Sequence, residues 1–192
     1  MKQLVLLITL LSISIIANAQ NDYTYEPNAD YPYGRPNPEA PPQITDWQEL
    51  IGSCDCKSET RNPDGTWNPP AAMIWTFKYI MNGMAVQDEV LVDTGRHAGS
   101  IRQFIADSSR WFVHYYSNIL PSTTLPVWEG NRKDDQIILY KDQTAPNGME
   151  GKYRITFSEM TYDGFKWNGD WVNPDETIVY PTFKIVCRKR KD

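Results

Sequence analysis

From Met73 onward the chain alternates apolar and polar residues with a period of two, and that pattern excludes a helical fold for most of its length. Over residues 73–81 it sets Trp75, Phe77 and Tyr79 on one face and Thr76 and Lys78 on the other. Asn82-Gly83 follows, a pair suited to the positive φ angles of a two-residue hairpin turn, and a second run spans 84–92. Further strands are predicted over 100–105, 110–117, 127–129, 136–141, 152–160, 164–172 and 177–188, joined by connections rich in Gly, Asn, Asp and Pro. Past residue 52 no segment repeats at helical spacing. The expectation is an all-β antiparallel meander of about eight or nine strands. Closure into a barrel would remove its exposed edges.

The N-terminal part is organised differently. Lys2, the apolar run 4–16 and Ala17-Asn18-Ala19 follow the order of a secretory signal peptide, with cleavage expected after Ala19. A helix over 4–16 would rise only about 20 Å, short of the roughly 30 Å hydrocarbon core. The expected location is therefore periplasmic or extracellular, with no membrane insertion after cleavage. Residues 20–43 interleave prolines with tyrosines and show no apolar period, which predicts a disordered linker. A single barrel domain is assigned to 44–192. A short helix is expected over 46–51, capped by Thr45, striped by Trp47, Leu50 and Ile51, and ended by Gly52.

Export gives meaning to the three cysteines. An oxidising compartment favours one bridge and leaves one thiol over. Cys54 and Cys56 are too close to pair with each other, so Cys187 is expected to bridge to Cys54 or Cys56.

Several short motifs carry a resemblance. Gly65-Thr66-Trp67 resembles the Gly-x-Trp that opens many lipocalins, and Gly99-Ser100-Ile101-Arg102-Gln103-Phe104 is similar to a Gly-x-x-Arg-x-aromatic strand. Trp128-Glu129-Gly130, Tyr153-Arg154-Ile155-Thr156-Phe157 and Gly164-Phe165-Lys166-Trp167 fit the middle and late strands. Residues 65–188 thus resemble the lipocalin-like (calycin) superfamily, in particular its exported bacterial families. The resemblance implies a barrel that can enclose a ligand.

Chemistry-bearing patterns are few. Asp93-Thr94-Gly95 ends an apolar run as in aspartic proteases, but no second copy supplies the paired carboxylate, and Arg96 follows where a small residue is usual. The doublets Asp88-Glu89 and Asp134-Asp135 point to opposite faces of a strand and form no acid/base pair. His97 falls in a Gly-bounded loop, and His114 falls on the strand face opposite Trp111. No catalytic group, metal site or cofactor is assigned. A formal net charge of −5 lacks the footprint of a nucleic-acid binder. The candidate ligand-binding residues are Trp75, Phe77, Arg102, Phe104, Trp111, Trp128 and Trp167, with Arg102 as the anchor for an anionic head group. The leading expectation is an exported module that holds a small hydrophobic or amphipathic ligand. The alternatives are a filled barrel acting in structure or interaction, with exposed tryptophans binding glycans, and a lipocalin-like enzyme. Oligomeric state is not specified by any of these features.

Overall fold

The computed structural model describes residues 23–191; the signal peptide expected over 1–19, with its cut after Ala19, lies outside the described residues. Ten antiparallel strands form a closed barrel. They are β1 (Gly52–Thr60), β2 (Ala71–Ile80), β3 (Ala85–Val92), β4 (His97–Ile105), β5 (Arg110–Ser117), β6 (Val127–Lys133), β7 (Gln136–Asp142), β8 (Lys152–Thr161), β9 (Gly164–Val172) and β10 (Val179–Lys189). Each strand pairs with its neighbour in sequence, and β1 pairs with β10 to close the ring. This is the all-β meander that the period-two runs predict, with ten strands in place of eight or nine.

The additional strand is β1. Its sequence, Gly-Ser-Cys-Asp-Cys-Lys-Ser-Glu-Thr, holds no large apolar residue, so alternation on a hydrophobicity scale misses it. Its inward positions Cys54, Cys56 and Ser58 are nonetheless buried. Cys56 stands directly opposite Cys187 in the β1–β10 ladder, and the two form the disulfide, which ties positions 131 residues apart. Cys54 remains a free, buried thiol, and burial pushes its pKa up.

The expected helix is corrected in type and extent. A 3-10 helix runs over Pro42–Leu50, with proline in its first turn. Ile44, Trp47 and Leu50 are its buried residues, a spacing of three that matches three residues per turn rather than 3.6. Thr45 does not cap it; its hydroxyl donates to the Pro42 carbonyl at 2.9 Å.

Residues 23–41 form neither helix nor strand, as a linker would, yet they make specific contacts with the barrel. The Tyr79 amide donates to the Tyr33 carbonyl at 2.9 Å, and the Asn37 amide donates to Gly83 at 3.2 Å. The Arg35 guanidinium lies over the Tyr31 and Tyr25 rings at 4.5 and 5.0 Å. Gly83, at φ +75°, makes room for this crossing, because a Cβ there would strike the Arg35 carbonyl and the Asn37 amide.

Candidate functional site

The meander sorts its connections onto two ends. The β2–β3, β4–β5, β6–β7 and β8–β9 turns and the 3-10 helix share one end, while the β1–β2, β3–β4, β5–β6, β7–β8 and β9–β10 connections share the other. At the first end the helix acts as a plug. Trp47 is fully buried and meets Trp111 and Phe157 edge-on, with ring centroids 5.7 and 5.3 Å apart. Phe77, Trp75 and Phe165 extend this packing, and Ile137 and Leu139 fill the gaps between the rings. The plug is fastened at its rim: Arg132 pairs with Glu49, and the Trp111 indole N–H donates to Asp46 at 2.9 Å. Burial pushes the Asp46 carboxyl up, while the Trp111 bond and the Arg132 charge oppose that shift.

A polar network is sealed inside this apolar floor. Asp88 shares the inward face of β3 with Val86 and Val90, and it accepts from the Trp75 indole N–H at 2.7 Å, the Ser100 hydroxyl and the Arg102 guanidinium. The Arg102 cation also sits over the Trp47 ring at 4.6 Å and the Phe77 ring at 5.0 Å. Here two charges removed from water find each other and further hydrogen bonds, the condition under which a buried pair is tolerated.

The other half of the interior is different. Val90, Tyr115, Trp128, Lys141, Tyr153, Ile155 and Phe183 share the strand parity of sealed floor residues, yet each is only half-buried. Inward-facing side chains can stay wetted where the barrel opens at its end. Trp128 lies edge-on to Tyr115 and Tyr153, at 6.1 and 6.4 Å, and the Lys141 ammonium is 5.1 Å from the centre of its ring. Arg96, in the β3–β4 turn, donates to the Tyr115 hydroxyl at 2.8 Å. Gly169 keeps the wall beside Tyr153 thin, since a Cβ there would collide with the Tyr153 hydroxyl and the Trp167 ring. Burial pushes the Tyr153 phenol up.

The sequence-predicted residues therefore divide. Trp75, Phe77, Arg102 and Trp111 come together in the sealed floor; Phe104 is half-buried and packs edge-on against Trp111 at 5.6 Å. Trp167 stacks edge-on with Phe183 at 5.2 Å, between floor and mouth, and Trp128 stands at the mouth. The anchor assigned to Arg102 is already occupied by Asp88. Lys141, on the parity of Ile137 and Leu139, and Arg96, one residue past the Asp-Thr-Gly turn, were legible only by counting faces. His97 is the exposed first residue of β4 rather than a loop residue. His114 lies on the outer face. Among the described residues no tryptophan is fully exposed, and Trp67, in the β1–β2 connection beneath the Lys184 ammonium, is half-buried. Among the described residues no group of three His, Cys, Asp or Glu side chains could hold a metal.

Two surface concavities accompany the barrel. One, of about 420 Å³, lies between the β7–β8 connection and Pro174. The other, of about 710 Å³, runs outside β10, β1 and β2 past Lys57, Ile74 and Val186.

No protein-family model matches the chain, and no curated protein matches it. Among solved structures, the crystal structure of Rv2717c from M. tuberculosis is similar at 12% identity, with a TM-score of 0.52, covering 80% of this chain and 100% of that one. A redesigned β-barrel aligns at 12% identity and a TM-score of 0.31, over 75% of this chain and 94% of that one. The first likeness is one of fold.

Proposed function

We propose that this chain is an exported binding module of lipocalin-like type, holding a small apolar or amphipathic ligand in the mouth half of the barrel. The observation that carries this reading is the contrast within one interior: Phe77, Trp111 and Phe157 are sealed at the floor, while Trp128, Tyr153 and Phe183 face inward and stay wetted. An aromatic wall left open to water on the concave side gains by covering itself with an apolar guest. The Cys56–Cys187 bridge and the N-terminal signal pattern support export. Domain boundaries at 1–19, 20–43 and 44–192 belong to the same proposal.

Titration with N-phenyl-1-naphthylamine, a neutral apolar fluorophore, tests it. Saturable binding by the native protein, lost when Val90→Trp fills the mouth, is the expected result. Absence of saturable binding, or binding untouched by Val90→Trp, would overturn it.

A second reading has one observation behind it. Ile119, Leu120 and Ile178 on connections at the mouth, and Val179 and Tyr180 at the start of β10, are exposed, an apolar rim of the kind that meets a partner surface.

A further inference from the structure

We propose that Arg96, Tyr115, Trp128 and Lys141 form an anion site at the mouth, which takes the charged head group of a single-tailed amphiphile. This deepens the reading above and rests on it.

Two cations meet the same aromatic row. Arg96 bonds the Tyr115 hydroxyl, Tyr115 packs on Trp128, and Lys141 lies over the Trp128 ring. Neither cation has a carboxylate within ion-pairing distance among the described residues. Arg102, Arg132 and Arg154 each have one, whereas half-buried Arg35 and Arg61 lie over tyrosine rings without one. The site also holds spare donors. The Arg96 Nε and the Trp128 indole Nε1 are buried without a hydrogen-bond partner. A buried donor without an acceptor is unfavourable; the Trp47, Arg102 and Arg154 side chains carry one each as well, but only at the mouth would an entering oxyanion reach it.

The turn that carries Arg96 is pre-positioned. Asn118 clamps it three times: its side chain accepts from the His97 amide at 2.9 Å and donates to the Gly95 carbonyl at 3.1 Å, and its amide donates to the His97 carbonyl at 2.9 Å. A guanidinium fixed in this way recognises an oxyanion with little ordering cost. An oxyanion seated here would place a tail past Tyr153, in the same layer, and against Ile155 and Phe183, the half-buried residues one step deeper.

The experiment compares cis-parinaric acid with its methyl ester, which share a tail and differ by one charge. The acid is expected to bind about tenfold more tightly than the ester, or better, as one or two charge-assisted hydrogen bonds require. Its advantage should shrink with added salt. In the Arg96→Gln/Lys141→Gln variant the acid-to-ester ratio should collapse toward one. Equal binding of acid and ester by the native protein would overturn the anion site while leaving the binding module standing. A ratio preserved in the double variant would overturn the assignment of these residues. If neither probe binds, both proposals fail.

Discussion

Arg102 and Asp88 are diagonal neighbours across the β3–β4 ladder inside the barrel, Asp88 opposite Ser100 and Arg102 opposite Val86, with side chains only 3% and 4% exposed. Each is the other's counter-charge, and Trp75 and Ser100 fill the remaining acceptor positions of Asp88. Replacing one partner alone leaves a buried charge without compensation. Arg102→Met is expected to lose about 3–5 kcal/mol of unfolding free energy in urea, and Arg102→Met/Asp88→Leu to lose less than that single variant. A single variant within about 0.5 kcal/mol of the native protein would contradict the pairing.

The disulfide leaves Cys54 as the free thiol. Alkylation of denatured, unreduced protein should label one cysteine, and after reduction it should label three. Cys56→Ser/Cys187→Ser is expected to cost about 2–5 kcal/mol, because it releases a long loop in the unfolded chain. Mapping the unreduced label to Cys56 instead would contradict the observed pairing.

Tyr79 is buried at the sealed end, and burial pushes its phenol up to about 12 from 10.0. The folded state therefore holds this proton more firmly than the unfolded chain. The stability it contributes is fully present below pH 10 and is lost as pH rises through 12. Comparison with Tyr79→Phe isolates the group: the native protein should lose stability more steeply between pH 10 and 12. Parallel curves in that window would contradict the assignment.

The N-terminal segment crosses the β2–β3 turn where Gly83 leaves no room for a Cβ. Gly83→Ala should speed amide exchange over residues 25–37 and lower stability by about 1 kcal/mol or more, since the position also requires positive φ. Unchanged exchange would show that the crossing does not depend on this glycine.

Alternation made most of the barrel legible, because strands β2 and β9 place large aromatics on one face only. It missed β1 because small inward residues answer the bulk of Trp75 across the ladder. It cut β6 short because Asn131, Arg132 and Lys133 are polar on both faces. The contacts of residues 23–41 were illegible, since they link positions far apart in the chain through backbone groups common to every residue. The site was legible in part. The aromatic residues follow from strand parity, but which of them are sealed depends on where the 3-10 plug sits. The partner of Arg102 follows only from strand register.

Entry of ligand into the mouth half of the barrel can be seen in a crystal structure of the complex with N-phenyl-1-naphthylamine. Electron density for the fluorophore is expected among Val90, Trp128, Tyr153 and Phe183. Density confined to the outer groove past Ile74 and Val186, with the mouth left to side chains and water, would contradict it.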